Sequence, residues 1–233
     1  MSISKADMDG DGDEDFVLGN LGMNYKYKAS ADEPFEVFYD DFDQNGKKDI
    51  VLSYYNFGEK YPVRGRSCSA QQIPAIGAQF NTYESFASSS LSEIYSPGLL
   101  NQSLHLTASS FESVYAENMG DGTLRIQSLP LEAQFSALQD AVLADINGDG
   151  HKDVLCAGNL YVSEIETPRN DAGIGLVLLG DGKGDFRSLP AAESGLYLDL
   201  DVRRLRSITL NGKRGIVVAP NHDSPRLISI KKQ

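Results

Sequence analysis

Residues 145–156 read Asp-Ile-Asn-Gly-Asp-Gly-His-Lys-Asp-Val-Leu-Cys, and this pattern decides the fold because it occurs three times. It begins again at Asp7 as Asp-Met-Asp-Gly-Asp-Gly-Asp-Glu-Asp-Phe-Val-Leu, and at Asp41 as Asp-Phe-Asp-Gln-Asn-Gly-Lys-Lys-Asp-Ile-Val-Leu. Each copy has Asp or Asn at positions 1, 3, 5 and 9, glycine at position 6, and apolar residues after position 9. The apolar residues predict a β-strand, so each copy predicts a loop that leads into a strand.

The spacing of the copies predicts a repeated β unit. A fourth copy, residues 207–218, keeps the glycine and the apolar strand but has lost every acidic position. A second marker, Gly-Asp-Gly, recurs at Gly120 and Gly180, 60 residues apart, and the third and fourth copies of the loop are 62 residues apart. The second and third copies are 104 residues apart, which is one such period plus 42 extra residues, whereas the first two copies are only 34 residues apart and do not fit this period well. Each period holds roughly four predicted strands, which is typical of a propeller blade. The fold class predicted is therefore all-β, with about three to four blades of a β-propeller over residues 1–233.

Residues 66–97 differ from this pattern and predict a short helical insertion within one blade. Apolar residues recur there in steps of three and four, from Ile73 to Phe86. Ser69 and Ser90 each precede a Gln or Glu by three residues, as in a capping box. Pro74 suits a first helical turn, and we expect Pro97 to end the last helix. We interpret the insertion as a packing cover, with a ligand-binding lid as the alternative.

Composition excludes several classes of protein. The chain has 233 residues, 41% hydrophobic, and a formal charge of −12, so it is globular and a poor partner for nucleic acid. No apolar run is long enough to span a membrane. Two cysteines exclude a disulfide-rich scaffold, although a bond between Cys68 and Cys156 stays open. The three histidines are far apart and share no ligand spacing.

The acidic residues of the three loops, called Asp loops from here on, have the spacing of a calcium site. Ca²⁺ takes six to eight oxygen ligands, and positions 1, 3, 5, 7 (through its carbonyl) and 9 supply most of them. An EF-hand is excluded because position 12 is Leu18, Leu52 or Cys156 instead of Glu. Mg²⁺ and an ordinary Asp/Gly turn are the weaker alternatives. The predicted ligands are Asp7, Asp9, Asp11, Asp13 (carbonyl) and Asp15; Asp41, Asp43, Asn45, Lys47 (carbonyl) and Asp49; and Asp145, Asn147, Asp149, His151 (carbonyl) and Asp153.

The Asp-x-Asp-x-Asp-Gly-x-x-Asp loop followed by an apolar strand resembles the FG-GAP/VCBS repeat of calcium-binding β-propellers. The stretches that begin at Asp15, Leu129 and Leu178 are similar to the C-terminal region of secreted bacterial VCBS-repeat proteins that carry an ASPIC/UnbV module and are related to cartilage acidic protein. No ASPIC/UnbV module is found in these residues. The resemblance implies a seven- or eight-bladed propeller, so we expect the remaining blades on a missing N-terminal part.

The function implied is that of a calcium-binding, non-enzymatic module that binds a protein or glycan at the cell surface, with Ca²⁺ as a structural ion. The resemblance also implies an extracytoplasmic location, although residues 1–6 contain no signal sequence. The alternative is the propeller part of a carbohydrate-active enzyme, of polysaccharide lyase or dehydratase type. A cytosolic calcium sensor is the third and weakest hypothesis.

Overall fold

The protein is described by a computed structural model that covers residues 1–163 and 167–230. Its strands are β1 (Ser2–Ala6), β2 (Asp15–Gly19), β3 (Phe35–Asp40), β4 (Asp49–Asn56), β5 (Glu59–Pro62), β6 (Leu104–Ala108), β7 (Val114–Asn118), β8 (Leu124–Ser128), β9 (Leu138–Ala144), β10 (Asp153–Gly158), β11 (Leu176–Gly180), β12 (Phe186–Leu189), β13 (Val202–Leu210), β14 (Lys213–Pro220) and β15 (Arg226–Ser229). Its helices are α1 (Arg66–Gln72), α2 (Pro74–Gln79), α3 (Tyr83–Ala87), α4 (Leu91–Ile94), α5 (Pro97–Gln102) and α6 (Ala191–Ser194), with a 3-10 helix at Leu131–Gln134.

The chain divides into two compact units. Met1–Lys26 and Glu112–Gln233 form one, called the three-sheet unit, and Tyr27–Phe111 form the other, called the helical unit. The three-sheet unit contains the antiparallel sheets β1-β2-β7-β8, β9-β10-β11-β12 and β13-β14-β15. Separate antiparallel sheets with few helices confirm the predicted β class. The propeller itself stays a prediction.

The middle sheet of the three-sheet unit is buried on both faces. Successive side chains of a strand point to opposite faces, and every residue of β10 is buried. Val154 and Cys156 pack into a cluster that includes side chains of β2 and β7, whereas Leu155 and Ala157 pack into one that includes side chains of β13 and β14. Both cysteines are free thiols, and burial raises the pKa of Cys156 to about 12. Because both faces of β10 are covered by neighbouring sheets, its side chains after Asp153 are apolar without alternation.

The first strands of the three sheets lie next to one another. The Ser4 hydroxyl on β1 donates a hydrogen bond to the Ala141 carbonyl on β9 at 2.9 Å. The backbone N–H of Leu205 on β13 donates to Asp140 Oδ2 on β9, also at 2.9 Å. β9 therefore contacts both neighbouring sheets through polar groups as well as through the apolar clusters.

Asn159, which follows β10, joins several segments of the three-sheet unit. Its side chain is fully buried and donates to the carbonyls of Gly173 at 2.8 Å and Leu200 at 3.1 Å. Its Oδ1 accepts from the Ser136 hydroxyl at 2.6 Å and from the Gly173 N–H at 2.9 Å. A buried amide with all these partners fixes the path of the chain between the second and third sheets.

The helical unit is one four-stranded antiparallel sheet, β5-β4-β3-β6, with α1 to α5 between β5 and β6. The apolar faces of these short helices pack with Phe38, Phe42 and Val51 from the sheet side. The helices cover Arg66–Gln102, and this range exceeds the predicted insertion by α5.

The helix signals in this segment were partly correct. Pro74 occupies the first turn of α2, and Ser90 and Glu93 form the predicted capping box, with Ser90 N–H donating to Glu93 Oε2 at 2.7 Å. Two predictions were wrong. Ser69 lies inside α1, and Pro97 begins α5 instead of ending a helix. Proline is compatible with the first turn because the N–H it lacks has no partner there.

None of the helices in the described part of the chain has the length and apolar character needed to cross a membrane.

Candidate metal centre

Each Asp loop joins two neighbouring antiparallel strands of a sheet. The loop that begins at Asp7 joins β1 to β2, the one that begins at Asp41 joins β3 to β4, and the one that begins at Asp145 joins β9 to β10. In the decayed fourth copy, residues 207–218, the loop is reduced to a two-residue turn between β13 and β14. Asn211 and Gly212 form it with φ values of 51° and 73°, as in the type I′ turns that suit β-hairpins. The three acidic copies therefore replace a tight turn by a longer loop.

The three loops share one hydrogen bond that closes each of them. The backbone N–H at position 2 donates to the aspartate at position 9, at 2.9 Å in the first loop, 3.0 Å in the second and 2.7 Å in the third. The position-9 aspartates are Asp15, Asp49 and Asp153, and all three are buried. Each carboxylate is thus held at the start of a strand with at least one backbone partner.

Two further bonds recur inside every loop. The N–H at position 5 donates to the side chain at position 3 at 2.9 to 3.2 Å, and the N–H at position 7 donates to position 5 at 2.8 to 3.0 Å. Positions 4 and 6 have positive φ in all three copies, from 57° at Gln44 to 100° at Gly12. The chain therefore wraps so that the side chains at positions 1, 3 and 5 face the loop interior.

The structure brings three carboxylates together in each of the first two loops. Ligand oxygens of Asp7, Asp9 and Asp15 lie within 4.8 Å of one another, and so do those of the second group. The second group is Asp41, Asp43 and Asp49. These are positions 1, 3 and 9, spaced closely enough to share a single cation. Asp11 and Asp13 do not belong to the first group.

The third loop is arranged differently. Among the residues that the structure describes, Asp145, Asp149 and Asp153 do not meet as a group of three. Asn147 at position 3 donates from Nδ2 to Asp149 Oδ2 at 2.8 Å, so an amide and a carboxylate pair with each other inside the loop. The hydrogen bond from the His151 N–H lowers the pKa of Asp149, and the bond from Asn147 lowers it further. The third loop has the ligand types of a site but holds them in mutual hydrogen bonds.

Like charges raise the cost of ionisation in the first loop. Partial burial raises the pKa of Asp13, and the charges of Asp11 and Asp15 raise it further. The pKa of Asp9 is raised by burial and by the same two neighbours, against a hydrogen bond from the Asp11 N–H. Burial also raises the pKa of Asp49 and Asp153. A bound divalent cation would remove both the repulsion and the desolvation cost.

One buried oxygen of the first loop, Oδ1 of Asp13, has no hydrogen-bond partner among the described residues. The hydroxyl of Tyr115 on β7 is buried beside the same loop. Burial raises the pKa of this hydroxyl, and the side-chain interaction with Asp15 and the charge of that carboxylate raise it further. Buried oxygens normally have partners, so an unsatisfied carboxylate oxygen next to three converging carboxylates fits a hard cation and its water ligands.

Sequence reasoning missed two features of this site. Tyr115 lies a hundred residues from Asp15, and only the pairing of β2 with β7 brings them together. The side chain of Asp13 was also missed, because position 7 was expected to contribute its carbonyl alone. The sequence partly indicated the left-handed backbone at position 4, because two of the three copies have glycine there.

No known protein-family model matches the chain, and comparison with curated proteins finds no significant match.

Proposed function

We propose that this chain is a calcium-binding, non-enzymatic β module in which the Asp loops hold structural Ca²⁺ ions. The observation that carries the proposal is the convergence of Asp7, Asp9 and Asp15, and of the corresponding second group, within 4.8 Å. All the donors are oxygens, which is the ligand chemistry that Ca²⁺ prefers. The cation would neutralise carboxylates that otherwise repel one another in a nine-residue loop.

The first and second loops are the stronger sites in this proposal. Each offers three carboxylates already in range of one ion, and the carbonyls of Asp13 and Lys47 complete the expected set. The third loop would first have to break the Asn147–Asp149 hydrogen bond, which costs free energy. We therefore expect about three Ca²⁺ sites, of which the third is the weakest.

The wider setting follows from the resemblance to FG-GAP/VCBS repeats. We propose that the sheets are blades of a larger propeller, and that the protein is extracytoplasmic and binds a protein or glycan at the cell surface. An extracytoplasmic location suits these loops because calcium there is plentiful, so moderate affinity is enough to keep them filled. The adjacent first strands β1, β9 and β13 support this arrangement.

A carbohydrate-active enzyme is the alternative function. It predicts product release from an acidic polysaccharide, whereas the module proposed above binds without turnover. The ions support the binding module more than the enzyme, because an ion enclosed by loop oxygens leaves little room for a substrate.

Calorimetric titration of the decalcified protein with Ca²⁺ tests the proposal. We expect about three sites in the full chain and about two in Asp9→Asn, which removes one charge from the first loop. Asp223→Asn, an exposed substitution outside the loops, is the matched control and should keep all sites. Absence of heat and of any stoichiometric uptake in the unaltered protein would overturn the calcium assignment.

A further inference from the structure

The helical unit contains a cavity of mixed polar and apolar lining that shares no lining residue with the Asp loops. It has a volume of about 440 Å³ and opens between the sheet and the helices α4 and α5. Small-molecule sites commonly measure about 300 to 1,000 Å³. Its lining includes Phe38, Lys60, Leu91, Ser92, Asn101 and His105. The cavity therefore combines apolar, hydroxyl, amide and ionisable groups.

One buried carboxylate organises the sheet side of this cavity. Glu36 on β3 has a side chain only 5% exposed, and it accepts hydrogen bonds from Ser53, Lys60 and His105. The distances are 3.0 Å from the Ser53 hydroxyl, 2.6 Å from Lys60 Nζ and 3.0 Å from His105 Nε2. Since these residues lie on β4, β5 and β6, a single carboxylate fixes side chains from all four strands. Such a network costs free energy to bury, so we interpret it as a device for positioning Lys60 and His105.

His105 is oriented on two sides. Its ring stacks on Phe38 with 4.4 Å between ring centroids and an interplanar angle of 4°. A carboxylate only accepts hydrogen bonds, so Nε2 of His105 carries the proton that it shares with Glu36, and Nδ1 is left free of that bond. The side chain is 41% exposed, so the imidazole is accessible while its orientation is held.

Lys60 is equally constrained. Burial opposes its charge, but the hydrogen bond and charge of Glu36 outweigh burial and raise its pKa. Its ammonium also lies 5.2 Å from the ring centroid of Tyr55. A positioned ammonium and an oriented imidazole therefore stand at fixed places in the cavity.

We propose that this cavity binds a neutral sugar of one or two rings. Glu36 and Glu59 bring two negative charges and Lys60 one positive charge, so the site does not attract anions. Hydroxyl groups of a sugar match the mixed donors and acceptors of Lys60, Ser92 and Asn101, and its C–H faces match the exposed Pro97 and the imidazole. The inference rests on the proposed function for the class of ligand, a glycan. The cavity itself does not depend on bound calcium, because no residue of the Asp loops lines it.

The inference is tested by titrating the calcium-saturated protein with glucose, galactose, mannose, N-acetylglucosamine, cellobiose and, as an anionic comparison, glucuronate, and by recording the shifts with two-dimensional NMR. We expect shifts at Ser92, Asn101 and His105 with at least one sugar. Asn101→Trp fills the cavity from the exposed side of α5 and should weaken that binding at least about tenfold. Gln102→Trp, the next residue of the same helix, is the control and should change affinity by less than about twofold.

Three outcomes would overturn the inference: no shift with any of these sugars, shifts elsewhere that Asn101→Trp leaves intact, or stronger binding of glucuronate than of glucose. A protein that binds the sugar but takes up no calcium contradicts the proposed function alone. A protein that takes up calcium but binds no sugar contradicts this inference alone.

Discussion

Gly158, the last residue of β10, lies closer to another backbone segment than any side chain would permit. A Cβ built on it would stand 1.7 Å from the carbonyl oxygen of Ala137 and 2.8 Å from the N–H nitrogen of Gln139. The neighbour Asn159 donates its own N–H to that carbonyl of Ala137 at 2.8 Å. The glycine is therefore required for the approach of two backbones at the irregular end of the β9–β10 pair.

We expect Gly158→Ala to lower the free energy of unfolding by about 3 kcal/mol, because backbone atoms cannot move aside as a flexible side chain can. Urea denaturation of the calcium-saturated protein measures the change. Gly98→Ala is the control: its Cβ would meet nothing closer than 3.7 Å, and alanine favours the helix α5. Equal stability of the two variants would contradict this account of Gly158.

At the scale of the element, each Asp loop depends on two left-handed residues. Position 6 is glycine in all three loops, and position 4 is glycine in two of them. The second loop instead places Gln44 at position 4 with φ of 57°, a conformation that costs free energy for a residue with a Cβ. The loop still closes because two backbone N–H groups, those of Asn45 and Gly46, make three hydrogen bonds to the carboxylates at positions 1 and 3.

Gln44→Gly should therefore raise the free energy of unfolding by about 0.5 to 1 kcal/mol, by relieving the left-handed backbone of the second loop. Thermal unfolding with and without calcium measures this gain. Gln79→Gly, at the last residue of the helix α2, is the control and should cost about 1 kcal/mol, because glycine lowers helix stability and the bond from Gln79 Nε2 to the Glu93 carbonyl is lost. A loss of stability in Gln44→Gly as well as in the control would contradict the prediction that the left-handed backbone of Gln44 is strained.

At the scale of the whole molecule, the acidity of the chain is concentrated in the loops. The formal charge is −12, and the predicted side-chain ligands include ten of the 33 acidic residues. Without cations this charge opposes folding in every loop at once. A site with a Kd of about 10 μM in about 1 mM Ca²⁺ contributes about 2.7 kcal/mol, so three would contribute about 8 kcal/mol. That sum is comparable to the whole stability of a domain.

Chelation with excess EGTA should consequently lower the melting temperature by more than about 10 °C, as followed by circular dichroism. Adding Ca²⁺ back should restore it, whereas the same ionic strength as NaCl should not, since screening acts weakly on charges a few ångströms apart. A melting curve that EGTA leaves unchanged would contradict a structural role for calcium.

The local parts of the fold were predictable because their causes are local. The Asp loop at 145–153 leads into the strand β10, as the apolar residues after position 9 indicated. The capping box of Ser90 needs only residues within one turn, so the sequence contains it whole. Pro97 was misjudged because proline is compatible both with the start of a helix and with the position after its end.

Contacts between distant segments could not be predicted in the same way. Glu36 and His105 are 69 residues apart, and neither has a motif that points to the other. The buried hydroxyl of Tyr115 reaches the first loop only through the pairing of β2 with β7. The pattern of apolar residues along a strand shows which face of that strand is buried, but it does not show which other strand pairs with it.

The sequence by itself determined the β class, the repeated loop and the oxygen-bearing side chains that the loop carries. The reason is that the spacing of Asp, Asn and Gly over nine residues is a local property. Only the tertiary structure decided which of these carboxylates converge, because convergence depends on backbone hydrogen bonds and on burial. Three carboxylates meet in the first loop and three in the second, whereas in the third loop Asp149 is hydrogen-bonded to Asn147 instead. It also decided that Lys60 and His105 share one buried glutamate, since four strands must pair before their side chains can meet.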